Sequence, residues 1–314
     1  MSLFLELKKR SQDLGFILSG GVDIDSATDF KNHFQRYQNW IDQGFHGEMQ
    51  YLFNGMERRG NPRWFLPEAE SVFCVAWPYP AHDQSDGGPR VARYLHGEDY
   101  HTLIKKKLFE LMGSIDDSSL RFKICVDTSA FLDRTWAYFS GLGWIGKNTL
   151  LIHPKYGSYF FIGSILLNKK LNLDPIILPN YCGHCTRCLD SCPTSALVSQ
   201  GNLDSRKCIS YLTLEKRGPH DLDESFKKKM GEWIAGCDVC QEVCPFNLKI
   251  SKRKKMEFTF DPVFEKKTWK EWLEEESSSY KKRVKKTALN RIKPEEMKRN
   301  LQIAYENYSQ KKMR

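Results

Sequence analysis

The sequence has no long apolar run. No stretch approaches the roughly 18 consecutive apolar residues that a membrane-spanning helix needs. The opening residues, Met1 to Arg10, lack the apolar segment and small-residue cleavage site of a secretory signal, and read as the start of an amphipathic helix. No membrane association is expected, and a cytoplasmic location is. Apolar residues form a modest 40% of the 314, but an aromatic share of 13% weighs against a largely disordered chain. The length allows two or three domains. Acidic residues are scarce in one place. Residues 247–314 carry 20 Lys or Arg against 10 Asp or Glu, while the remainder carries 28 against 29, so the net charge of +9 comes from the tail. Basic runs such as Lys252–Lys255 and Lys281–Lys286 suit a polyanion such as RNA, or equally a solvated helical face.

A disulfide framework is not expected for the ten cysteines of a chain without export features. Cys74 and Cys125 lie alone in apolar runs and read as buried structural thiols. The other eight fall in one short region: Cys182-x2-Cys185-x2-Cys188-x3-Cys192-Pro193, then Cys208, then Cys237-x2-Cys240-x3-Cys244-Pro245. The first run is the bacterial ferredoxin pattern. Three closely spaced thiolates wrap one cubane, and the fourth, followed by proline, crosses to the other. Cys182, Cys185, Cys188 and Cys244 are thus expected to hold one [4Fe–4S] cluster, and Cys192, Cys208, Cys237 and Cys240 a second. Two tetrahedral zinc sites are the competing reading, since these also use Cys-x2-Cys pairs. His184, inside the first knuckle, reads as a surface residue because four thiolates already suffice.

Around this region the pattern is α+β. Helical spacing is seen at the N-terminus, over residues 29–56 with a break near Gly44–Gly47, and over Glu98–Met112 and Leu132–Ser140. Strands are expected at Ser71–Trp77, Arg121–Val126, Leu150–Ile152 and Tyr159–Leu167, with a loop over Asp83–Pro89 and a hairpin turn at Pro154–Gly157. Three domains follow: 1–175 as a mixed α/β domain, 176–248 as a ferredoxin-like domain, and 249–314 as a basic, mostly helical region. Gly141-Leu-Gly-Trp-Ile-Gly146-Lys147 matches the spacing of a dinucleotide motif and nearly that of a phosphate-binding loop. Asn148 stands where the latter requires Ser or Thr, and a helix rather than a strand leads into the glycines, so no nucleotide site is expected there.

Several separated motifs, in order, resemble the epoxyqueuosine reductase family. They include Trp40–Met49, Arg59–Pro62, Ala92–His101, Val126–Ser129, Gly141–Thr149, Gly236–Pro245 and Arg299–Ala304, and they cover nearly the whole chain. The resemblance implies reduction of the epoxide of epoxyqueuosine to queuosine at the wobble position of a tRNA with a GUN anticodon. It implies cobalamin in the N-terminal domain, fed by the two clusters and an external low-potential electron donor, in a monomer. Asp127 matches the family's proton-donating Asp. Arg134, Tyr100 and His101 are expected to border the cofactor or substrate, and Lys147 and Asn148 to meet cobalamin's polar edge. Lys281–Lys286, Arg291 and Arg299 are expected to contact tRNA phosphates. No D-x-H-x-x-G motif is present, so cobalamin would lack the histidine usual beneath its cobalt. Phe131, where the family usually has proline one residue earlier, and Ser164, where it often has Glu, depart from the pattern. So does the lack of a longer helical-repeat extension. Two rival readings stand beside it: a reductive dehalogenase, which shares the electron route, and an electron-transfer module of a redox complex that binds no substrate.

Overall fold

The computed structural model describes residues 2–79, 88–218, 222–251 and 267–313. Most of the expected loop at Asp83–Pro89 and the Lys252–Lys255 run lie outside the described residues. The chain runs α1 (Leu3–Asp13), β1 (Leu18–Asp23), α2 (Phe30–Asp42), α3 (Gln50–Asn54), α4 (Met56–Gly60), β2 (Ser71–Pro78), β3 (Arg90–Val91), α5 (Tyr100–Gly113), β4 (Phe122–Cys125), α6 (Asp133–Phe139), β5 (Trp144–Ile145), β6 (Leu151–Ile152) and β7 (Phe160–Leu167). It continues through α7 (Arg187–Asp190), β8 (Leu197–Ser199), β9 (Asn202–Leu203), α8 (Ile209–Leu214), α9 (Glu224–Met230), β10 (Trp233–Ala235), α10 (Val239–Glu242), α11 (Pro245–Ser251), α12 (Trp269–Leu273), α13 (Ser277–Val284) and α14 (Pro294–Lys312). This is an α+β protein. It divides into two compact units, one formed by residues 1–79 and 101–185, the other by 80–100 and 186–314.

The first unit is built on a four-stranded antiparallel sheet in the order β1-β2-β7-β4. Ser71–Pro78 is a nearly continuous apolar run, and a strand with no polar face must be covered on both sides. All eight of its residues are buried. Each large aliphatic or aromatic side chain so buried contributes about 1.5–3 kcal/mol. In register, Gly20 opposes Cys74, Cys74 opposes Ser164, and Ser164 opposes Cys125, a row of small side chains across all four strands. Helix α6 packs on β1, β2 and β7. A Cβ at Gly20 would lie 2.0 Å from the Ser140 carbonyl oxygen, so the bare glycine is what lets the end of α6 come this close. Cys74 and Cys125 are fully buried, as expected of structural thiols. Phe131 is buried too, stacked on Trp136 with centroids 6.1 Å apart. The turn at Pro154–Gly157 closes through a reciprocal His153–Gly157 backbone pair, both bonds 2.8 Å, but β6 pairs with β5 rather than with β7.

In the second unit β3 runs parallel to β10, and left-handed Gly236 (φ +67°) ends the latter. Helix α14 opens with Pro294, whose fixed φ suits a first helical position. It packs against α8, α9, β10 and α12. One expectation is corrected here. Arg299 is buried rather than offered to phosphates: its guanidinium donates to the carbonyls of Leu212 (3.0 Å), Lys216 (3.2 Å) and Gly218 (2.8 Å). These acceptors lie at and beyond the end of α8, where carbonyls lack helical partners. Arg291 is engaged as well, by Glu215. Lys281, Lys282, Lys285 and Lys286 remain exposed.

Candidate functional site

Strand β4 ends at Cys125, and two residues later the backbone of Asp127 turns left-handed, at φ +45°. Aspartate tolerates that region better than most residues, because its short side chain can bond locally. The turn leaves the Asp127 carboxylate largely exposed, with Oδ2 3.0 Å from His101 Nε2 in the first turn of α5. Next to it, Lys105 Nζ donates to Thr128 Oγ1 at 3.1 Å. Sequence reasoning singled out Asp127 and His101 separately; the fold makes them a pair.

Helix α6 starts beside this turn. Asp133, its first residue, has one carboxyl oxygen, Oδ1, fully buried and without a hydrogen-bond partner among the described residues. Burial, reinforced by the negative charge of Asp127, pushes its pKa up to about 8. Arg134 is exposed, and desolvation lowers its pKa against the pull of Asp127 and Asp133. Its guanidinium donates to the carbonyl of left-handed Thr149 (φ +68°) and thereby ties α6 to the end of the glycine turn. Asp133 was not foreseen. An acidic residue in a first helical turn usually reads as a dipole complement, and nothing in the sequence shows that its oxygen faces inward.

The glycine turn follows α6, not a strand, as expected. Lys147 and Asn148 are both buried. Lys147 Nζ donates to the Gly183 carbonyl at 2.7 Å, and Asn148 Oδ1 accepts from Leu150 N at 3.3 Å. Tyr100, in the second unit, is half-buried and meets Tyr94 edge-on at 6.4 Å.

Within the first unit, Cys185 N donates to Cys182 O at 2.9 Å, closing the Cys-x2-Cys turn, while His184 is exposed between them. The indole Nε1–H of Trp144 donates to Cys182 Sγ at 3.4 Å. In the second unit Cys188 and Cys240 lie on the one-turn helices α7 and α10, which pack together. Burial raises the pKa of the Cys208, Cys237 and Cys240 thiols, and each is raised further by facing Cys192; Cys237 and Cys240 also face Cys208. Cys192 Sγ accepts from Ala196 N at 3.3 Å. Cys192, Cys208, Cys237 and Cys240 are thus near enough to influence one another electrostatically, although they come from segments up to 48 positions apart in the sequence. Such burial is unfavourable for free thiolates and suits thiolates bound to metal, and N–H donors aimed at sulfur are the usual surroundings of iron–sulfur ligands. Among the described residues, no three His, Cys, Asp or Glu side chains close to the spacing of a single metal ion. Asp238, between Cys237 and Cys240, is a further buried group that the Cys spacing did not predict. It accepts from Arg93 N at 2.7 Å and from Arg93 Nη1 at 3.2 Å.

Residues 181–247 match the family of 4Fe–4S double cluster binding domains, and residues 59–128 match the family described as epoxyqueuosine reductase QueG, DUF1730. The epoxyqueuosine reductase of Cyclobacterium marinum is 36% identical over 94% of this chain and 94% of its own length. Among solved structures, one from Bacillus subtilis is an epoxyqueuosine reductase with a catalytic aspartate loop swung out of the active site. It superposes with a TM-score of 0.81 at 28% identity, over 97% of this chain and 81% of that one. Another, an epoxyqueuosine reductase with an epoxyqueuosine-modified tRNA-Tyr stem loop, gives 0.78 at 28% identity over 97% and 81%. At this identity and coverage, and with the family match over residues 59–128, the chain belongs to the epoxyqueuosine reductase family.

Proposed function

We propose that this oxidoreductase reduces the epoxide of epoxyqueuosine to queuosine at the wobble position of tRNA, with Asp127 as the proton donor. The observation that carries the assignment of Asp127 is its carboxylate, presented on a left-handed turn 3.0 Å from His101. Opening a three-membered ether to an alkene consumes two electrons and two protons and releases water. Cobalamin, when bound, would supply the two-electron reduction. The chain's own residues manage the protons. Asp127 delivers one to the epoxide oxygen as a carbon–oxygen bond breaks, and His101 orients that carboxyl. A cofactor covering the turn would exclude water and favour the protonated acid.

The fit for cobalamin rests on the polar groups about the Asp127 turn, chief among them the exposed Arg134. Its guanidinium, with Tyr100 and His101, is proposed to meet the cofactor and the nucleoside. Lys147 and Asn148, whose side chains are already engaged, are proposed to offer backbone polar groups to the cofactor's edge. The iron–sulfur region is proposed to hold two [4Fe–4S] clusters, on Cys182, Cys185, Cys188 and Cys244 and on Cys192, Cys208, Cys237 and Cys240. The functional division stays at 1–175 for cofactor and substrate, 176–248 for the clusters and 249–314 for tRNA. A GUN anticodon, an external low-potential donor, a monomeric state and a cytoplasmic location complete the proposal. The lysines Lys281, Lys282, Lys285 and Lys286 would position the stem loop through phosphates, while a splayed wobble base supplies specificity.

The test is an anaerobic assay of protein reconstituted with iron, sulfide and cobalamin on an epoxyqueuosine-bearing stem loop, read by nucleoside mass. Loss of about 16 mass units, one oxygen, is the expected signature of this cofactor-borne reduction. Unchanged nucleoside mass, with both cofactors loaded, would reject the proposal.

A further inference from the structure

The glycine turn that is unsuited to a nucleotide has another use. Its glycines are explained by close packing: a Cβ at Gly143 would lie 2.3 Å from the Ile152 carbonyl oxygen, and one at Gly146 would lie 2.5 Å from Ile152 Cδ1. That closeness lets β5 pair with β6 and fixes Trp144 with only 1% of its surface exposed. The indole is held from two sides of its chemistry. Its ring meets Tyr181 edge-on with centroids 5.0 Å apart, and its N–H donates to Cys182 Sγ at 3.4 Å. Three residues on, the buried Lys147 ammonium donates to the carbonyl of Gly183, whose left-handed φ of +47° makes the bend between Cys182 and His184. One short turn therefore grips both the sulfur and the backbone of the first Cys-x2-Cys knuckle.

We infer that Trp144 and Lys147 form a bracket that shapes the Cys182 knuckle and raises the reduction potential of the cluster this knuckle helps to hold. The inference rests on the two-cluster reading above. A donor aimed at a ligating sulfur draws electron density from it, and this stabilises the reduced cluster, the more negative state, over the oxidised one. A buried cation one residue from the ligand acts with the same sign, and in a low-dielectric setting it is weakly screened. Each side chain contributes in its own way. The indole N–H acts on the sulfur directly. The ammonium acts through space and by fixing the bend at Gly183.

The experiment uses the full chain reconstituted anaerobically with iron and sulfide, with and without substitutions, in a redox titration followed by electron paramagnetic resonance. Trp144→Phe keeps the ring and its contact with Tyr181 but removes the N–H. The expected result is a more negative midpoint for one of the two cluster signals, with the other unmoved and iron content unchanged. Lys147→Gln, which still donates but carries no charge, should move the same signal in the same direction. Two fully loaded variants with both midpoints at the wild-type values would overturn the inference, as would equal shifts of both signals. If Trp144→Phe loads too little iron, Lys147→Gln alone decides by the same readings. Wild-type protein that takes up only one cluster would refute the two-cluster reading rather than the bracket.

Discussion

Asp127 is one of four described non-glycine residues with positive φ, and Thr149, held by Arg134, is another. A left-handed residue costs on the order of 1–2 kcal/mol unless its side chain suits the region. Asparagine suits it as well as aspartate does, so Asp127→Asn preserves the turn and removes only the proton chemistry. The expected outcome is retention of clusters and cobalamin with turnover reduced by about 10²–10⁴-fold, the usual weight of a positioned acid. Stopped-flow or single-turnover nucleoside analysis would measure it, and near-normal turnover would take Asp127 out of the role. Asp133 gives a stability prediction of definite sign. Its folded pKa, pushed by burial to about 8, lies above the ordinary value of 3.8. Between those two pH values the folded chain keeps a proton that the unfolded chain releases, so stability falls as pH rises through this window. Asp133→Asn should remove that slope. Urea midpoints at pH 5 and pH 8 should lie closer together in the variant than in the wild type, with the variant the more stable at pH 8. Parallel curves for the two proteins would show that Asp133 is ionised in the fold.

At the scale of elements, the contact between α6 and the sheet is set by what is missing from a side chain. Gly20→Ala would press a methyl group into the Ser140 carbonyl, backbone that has no room to yield. The helix must shift or β1 must bend, and destabilisation of about 1–3 kcal/mol, typical of overpacking, is expected from thermal or urea unfolding. Arg299→Met is the polar counterpart. It would leave the carbonyls of Leu212, Lys216 and Gly218 short of a donor in buried surroundings, at about 1–3 kcal/mol for each unsatisfied group. These two cases mark what the sequence could and could not disclose. The strand expected at Ser71–Trp77, and observed one residue longer, is legible because its run of apolar and β-branched residues has one physical solution, burial on both faces. The cysteine region was legible because ligand spacing is local. The glycine at position 20 gave no sign of its partner, which lies 120 positions away, and Arg299 was read as a tRNA contact because charge is visible in sequence while the carbonyls that consume it are not. The same holds at the site. Asp127 and His101 were each named, but their pairing, like that of Trp144 with Cys182, is made by tertiary structure across 26 and 38 positions.

For the molecule as a whole, the basic surplus in residues 247–314 is not spread evenly over the described surface. Arg283 is taken up by Glu275 and lies over the Trp272 ring at 4.5 Å, Arg291 is paired with Glu215, and Arg299 is buried. Among what α13 and the two residues after it present to solvent is the group Lys281, Lys282, Lys285 and Lys286. Positions one helical turn apart share a face, so the first three make a short cationic stripe, a shape suited to tracking a phosphate backbone and unsuited to reading bases. Polyanion binding of this kind is driven by counterion release, and its signature is a salt slope of roughly 0.7–0.9 for each phosphate neutralised. Replacing all four lysines with Gln should therefore weaken binding of the epoxyqueuosine stem loop and flatten the dependence of log Kd on log salt by up to about 3.6. The rate at saturating stem loop should be unchanged, because these side chains position the substrate without touching the reacting atoms. Arg283→Gln is the informative contrast. With its bidentate partner Glu275 left half-paired, it should lower stability and leave the salt slope where it was. A slope unchanged by the quadruple substitution would move the phosphate contacts to another surface of the chain.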